Sequence, residues 1–99
     1  PHPAHGFDTV VVDRVLAAAE RPADGLREAA RVLRRGGRLL LVEDFEALER
    51  RAPDSNPLAL LRAWLADAGL VCDRLRPCDV GGAHLLLAAA TPQPEAAAA

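Results

Sequence analysis

Residues 7–43 read FDTVVVDRVLAAAERPADGLREAARVLRRGGRLLLVE, and the order of patterns inside that stretch decides the fold. The β-branched apolar run at residues 7–12 is short enough for a strand and continuous enough for one buried on both faces. Asp13 and Arg14 end it, and Val15 opens a short helical piece reaching about Glu20. Pro22 suits the first turn of the next helix, where its missing N–H would have no intrahelical partner. Leu26, Ala29, Ala30 and Leu33 recur at i, i+3, i+4 and i+7, which aims one apolar stripe at a sheet. Arg27, Glu28, Arg31 and Arg34 take the remaining positions. Gly36 and Gly37 are expected to stop this helix in left-handed conformations. Residues 38–43 then form a second apolar strand ending in acid. A strand, a helical crossover and a second strand make a parallel pair.

Beyond this unit, residues 44–55 are charged and are expected to be an exposed connection, with EALERR able to form a short helix. Asn56 and Pro57 make an N-cap and first-turn pair, and Leu58, Leu61, Leu65 and Ala68, extended by Trp64, form the buried stripe of a second helix that Gly69 ends. Residues 70–75 read as a third strand, 77–82 as a turn and 84–89 as a fourth strand. The short turn predicts an antiparallel hairpin, whereas the crossover helices make the first three strands parallel. The expected fold class is therefore α/β, with one domain over residues 1–91 and a disordered tail over 92–99.

At 99 residues the chain is bounded to one small domain, and a formal charge of −2 gives no general attraction to nucleic acid or anionic lipid. No apolar run approaches the roughly 20 residues needed to span a bilayer, and the leading PHPAHG lacks a signal-peptide core. A soluble cytoplasmic protein with no membrane partner is expected. Two cysteines, Cys72 and Cys78, are too few for a disulfide framework and are read as reduced thiols. All 12 basic residues other than histidine are arginine. The run from Arg27 to Arg38 lacks interleaved aromatics and has acidic neighbours, so it reads as a solvated helix face. A first residue Pro1 and the absence of Met predict a piece of a longer chain.

The wording FDTVVVDRVL, the Pro-started helix and RVLRRGGRLLLVE resemble the second half of class I S-adenosylmethionine-dependent methyltransferases, over residues 7–90. Arg35 stands where a Pro is usual before the two glycines, and Arg21 where Asp commonly caps the helix. The resemblance implies a partial Rossmann-like sheet whose strands correspond to 4-5-7-6 of the family's seven. It also implies methyl transfer to a small-molecule nucleophile in the intact protein. FDTVVVDRVL, LREAARVLRRGGRLLLVEDF and GGAHLLLAAA are similar as well to methyltransferase-like domains joined to ArsR-type winged-helix regulators. The alternative function is thus a sensing or dimerisation module, with nucleic acid contacted only through an upstream domain.

Ligands of open α/β sheets bind at the carboxyl ends of the strands. The resemblance assigns Asp13 and Arg14 to the cofactor, and Glu43, Asp44 and Phe45 to the substrate side, with Glu43 as a catalytic candidate. His84 begins the antiparallel strand at the same edge and is a second catalytic candidate, being able to exchange a proton near neutrality. No metal is expected, because Cys72, Cys78 and His84 are too few and too scattered for a closed site. The family grips S-adenosylmethionine with a Gly-rich turn after its first strand and an acid ending its second. Gly36-Gly37 precedes a strand instead of following one, and Gly81-Gly82 fails similarly. The chain alone is therefore expected not to bind the cofactor, which would need a missing N-terminal half as partner. With that half absent, residues 7–12 would form an open edge able to pair two copies into a homodimer.

Overall fold

The apolar run after Gly6 becomes β1 (Phe7–Asp13) in the computed structural model, which describes residues 6–93. It is followed by α1 (Pro22–Val32), β2 (Leu33–Asp44), α2 (Phe45–Arg51), α3 (Pro57–Asp67), β3 (Leu70–Val80) and β4 (Ala83–Pro92). The four strands form one sheet in the order β1-β2-β4-β3. β1 runs parallel to β2, while β4 is antiparallel to both β2 and β3. This is the α/β arrangement expected, with three parallel strands and one reversed strand. No helix among the described residues is long and apolar enough to cross a membrane.

The strand boundaries differ from the sequence expectation, for local reasons. α1 stops at Val32, before the glycines, because Leu33 turns to extended backbone and is buried in the core. Gly36 does adopt a positive φ of 76°, but within an irregular stretch of β2 where the register with β1 slips. Gly37 is needed for a different reason. A Cβ there would sit 2.8 Å from the Arg34 carbonyl oxygen and 3.1 Å from that of Asp8.

Residues 16–18 form a turn, closed by Ala19 N–H donating to Leu16 O, where a short helix was expected. β3 continues through Pro77 and Cys78 to Val80, and only Gly81 and Gly82, both at positive φ, make the turn. Pro77 is tolerated because β3 is an edge strand, where a missing ladder donor costs little. β4 likewise extends to Pro92, and Gln93 N–H donates to Gly69 O. The rest of the expected tail, and residues 1–5, lie outside the described residues.

Leu26 of α1, Leu48 of α2 and Leu61 and Leu65 of α3 join Leu39, Leu41, Leu70, Leu86, Ala88 and Ala90 of the sheet in one core. Leu58 and Trp64, expected in the same stripe, pack against it half-buried. The segment expected as an exposed connection thus contributes a helix and a fully buried Leu48. Asn56 caps α3 as expected, accepting from Leu58 and Ala59 N–H at 2.8 and 3.3 Å. Arg21 gives α1 no side-chain cap. Arg27 and Arg31 pair with Asp24 and Glu28 on the exposed side of α1, so the arginine run is a solvated face.

The sheet residues of the core all share one face. Val10 and Val12 of β1 belong to it, whereas Val11 between them is 61% exposed. β1 was expected to be buried on both faces, and it is covered on one only. A continuous valine run reads the same in either case, since it satisfies one buried face as well as two.

Candidate functional site

At the carboxyl ends of β1 and β2 a cleft of about 530 Å³ is lined by Arg14, Ala17, Ala18, Glu43, Asp44, Ala47, Arg50 and Arg51. Arg14 leaves β1 with φ 55°, the one non-glycine in the left-handed region among the described residues. Its N–H donates to Val42 O at 2.7 Å, which fixes the chain where β1 parts from β2. A left-handed non-glycine residue is costly and persists where its surroundings hold it. The Arg14 guanidinium pairs with exposed Asp13 at 2.7 Å, and that contact raises its pKa.

Glu43 is the floor of the cleft and only 1% exposed. Its carboxylate accepts Leu16 N–H at 3.1 Å, with further backbone hydrogen bonds from Ala17 and Asp44. Burial pushes its pKa above the usual carboxylate value, and those N–H groups oppose the shift only in part. Asp44 accepts Ala47 N–H at 3.0 Å and so caps α2. Arg51, from the last turn of α2, donates to the carbonyls of Ala17, Ala19 and Glu20 at 3.0, 2.5 and 3.3 Å. Its guanidinium also lies 5.3 Å from the Trp64 ring centroid, a cation–π contact that ties the cleft to α3. The loop after β1 is therefore held at both ends, by Glu43 at Leu16 and by Arg51 at residues 17–20. Arg50 makes no ion pair among the described residues.

The structure brings Arg14, Glu43 and Asp44 together, with Asp13 beside Arg14. Phe45 does not line the cleft and packs half-buried against the core. His84 lies outside it too, at the β3–β4 hairpin tip, with Nδ1 2.5 Å from Asp79 Oδ1. That hydrogen bond and charge raise the His84 pKa, which favours the imidazolium. Arg51 and Ala17 carried no sequence signal, because a guanidinium aimed at backbone carbonyls has no motif. Cys72 and Cys78 lie on opposite sheet faces, since their partners Ala90 and Leu85 do. Among the described residues no cluster of three or more His, Cys, Asp or Glu could hold a metal ion.

The raised Glu43 pKa fixes the sign of a pH effect. The unfolded carboxyl loses its proton at lower pH than the folded one, so this group's contribution to stability is complete below the unfolded value. It is lost as pH rises through the folded value. Glu43→Gln keeps an acceptor for Leu16 N–H and removes the ionisation. Urea midpoints for the two proteins are expected to converge at acid pH and to separate in favour of Glu43→Gln toward neutrality. A constant difference across pH would mean that burial does not raise the Glu43 pKa.

The profile for a methyltransferase domain matches residues 1–41, and no curated protein matches the chain. Among solved structures, a chain from the complex of the Haloferax volcanii Trm112 methyltransferase activator aligns with a TM-score of 0.71 and 18% identity. The alignment covers 96% of this chain and 57% of that one. The α/β fold thus resembles the Rossmann-like fold of solved methyltransferases. The 16S rRNA (adenine(1408)-N(1))-methyltransferase of Catenulisporales acidiphilia, solved with SAM, gives a TM-score of 0.70 at 16% identity, covering 92% of this chain and 52% of its own. A SAM-dependent methyltransferase of Aquifex aeolicus gives 0.65 at 21%, covering 91% and 48%. The chain thus spans about half the length of these methyltransferases. Neither of its strand-to-helix joints, residues 14–21 and the direct step from Asp44 to Phe45, contains a glycine that would let backbone approach a nucleoside. These two joints therefore do not supply the Gly-rich turn expected to grip S-adenosylmethionine.

Proposed function

We propose that this chain is the C-terminal half of an S-adenosylmethionine-dependent methyltransferase domain, inactive alone, whose intact protein methylates a small-molecule nucleophile in the cytoplasm. The observation that carries the reading is the strand order β1-β2-β4-β3 with β4 reversed. The domain match over residues 1–41 points the same way. In this reading Asp13 and Arg14 face the cofactor, supplied mainly by an N-terminal half. Glu43 and Asp44, with Phe45 beneath them, shape the substrate side, and the clamped loop holds the reactants in register. His84 is the weaker catalytic candidate, because it lies at the β3–β4 hairpin tip, outside the cleft. The regulatory alternative, a sensing module beside a winged helix, shares the fold and is separated by activity.

Two measurements test the proposal. Calorimetric titration of the 99-residue chain with S-adenosylmethionine is expected to give no saturable heat, and clear binding at micromolar ligand would contradict the missing-half reading. In the intact protein, Arg14→Ala and Glu43→Gln are expected to lower methyl transfer by about tenfold or more if they position reactants. Wild-type turnover in both would return them to the role of strand terminators.

A further inference from the structure

Of the charged residues in the cleft, those at the strand ends already have partners. Arg14 pairs with Asp13, Glu43 accepts Leu16 N–H from the loop after β1, and Asp44 accepts Ala47 N–H. From Asp44, α2 carries the chain about 10 Å onward, at ~1.5 Å per residue, and its last turn brings Arg50 and Arg51 to the same cleft. Neither has a carboxylate within ion-pair distance among the described residues, although Glu46 stands one turn before Arg50. Arg51 donates to the carbonyls of Ala17, Ala19 and Glu20, but a carbonyl is neutral and leaves the charge of the guanidinium in place. Arg50 donates to none of them. The cleft thus has an end where two guanidiniums stand uncompensated.

Ala17, Ala18 and Ala47 supply the apolar wall, and no aromatic ring lines the cleft, so a bound molecule is selected by charge and size instead of stacking. The volume of about 530 Å³ lies within the range of roughly 300–1,000 Å³ typical of small-molecule sites. A guanidinium fork matches the paired oxygens of a carboxylate or phosphate in both geometry and charge. We propose that the Arg50–Arg51 end of the cleft is an oxyanion subsite, which anchors a methyl acceptor bearing a carboxylate or phosphate group. Arg50 makes the direct contact with its unused donors, and Arg51 adds charge while keeping the loop in place. The rest of the acceptor reaches back along the alanine wall toward Asp13 and Arg14. Its role as an acceptor anchor rests on the methyl-transfer reading, whereas the binding of an oxyanion does not. Every lining residue falls between positions 14 and 51, so the subsite is built entirely from this chain.

Titration of the full 99-residue chain at constant ionic strength, once with inorganic phosphate and once with propionate, tests the subsite. Trp64, the single tryptophan, lies against Arg51 and reports on the cleft by its fluorescence. A saturable change in the millimolar range is expected, and the anion that gives the tighter curve identifies the group. Arg50→Gln should weaken the response about fivefold or more, whereas Arg62→Gln, on α3 and outside the cleft, should leave it unchanged. Both positions are exposed, and circular dichroism checks that each variant keeps the fold. No saturable change with either anion, or an undiminished response in Arg50→Gln, would mean an adventitious ion only and would overturn the proposal. In the intact protein, Arg50→Gln should raise KM for the acceptor at little cost to kcat. An Arg50-dependent anion response without methyl transfer would strike the reaction and leave the subsite standing. Methyl transfer without that response would strike the subsite alone.

Discussion

Leu61→Ala is expected to destabilise the chain by about 2–5 kcal/mol, the range for emptying a leucine site in a packed core. Leu61 is fully buried at the centre of α3, in the same cluster as Leu26, Leu65 and the sheet leucines. All three helices reach the sheet through this one layer, so no second core shares the loss. A domain of this size has about 5–15 kcal/mol in total, and the variant would sit close to unfolding at physiological temperature. Leu58→Ala, one turn earlier but half-buried, supplies the control. It should cost clearly less. Urea denaturation of the two variants settles the facing of α3, and equal losses would mean that the helix is rotated from the orientation described.

Gly37→Ala is expected to cost about 1–3 kcal/mol through crowding, although the backbone at Gly37 is not left-handed. The new methyl would meet carbonyl oxygens of Arg34 and Asp8 at 2.8 and 3.1 Å, and Leu33 Cδ2 at 3.1 Å. Two of these atoms belong to backbone and cannot rotate away. Relief requires β1 to separate from β2 near Asp8, so hydrogen exchange should accelerate at Thr9 and Val10 before the rest of the sheet. Gly36→Ala is a useful contrast. Its strain would come from φ alone, with nothing within 4 Å of the added methyl, and it should loosen the bulge without parting the strands.

Much of the architecture was legible because local signals agreed with tertiary demands. Asn56-Pro57 starts α3, the Leu26 and Leu61 stripes face the sheet, and Gly81-Gly82 turns the final hairpin. Legibility failed where packing overrode local chemistry. Leu33 continues the helical stripe by spacing, yet it leaves α1 because the sheet core needs it. Pro77 looks like a turn residue, but an edge strand accommodates it. Strand-end logic named Arg14, Glu43 and Asp44, which the fold brings together at one cleft. It was silent on the burial of Glu43 and on Arg51, since a carboxylate that accepts backbone N–H groups and a guanidinium that donates to carbonyls leave no pattern in side-chain spacing.

The two edges of the sheet are unlike, and this bears on how far the chain can polymerise. β3 carries Pro77, a bulge between Cys72 and Arg74, and the charges of Arg74 and Arg76, features that blunt an edge against further pairing. β1 carries Val10, Val11 and Val12 in a row, with its charges confined to Asp8 and Asp13 toward the ends. Growth of a ribbon by strand addition requires both ends to be adhesive. If β1 were the adhesive end and β3 the capped one, addition through β1 would terminate at two copies instead of propagating into a fibre.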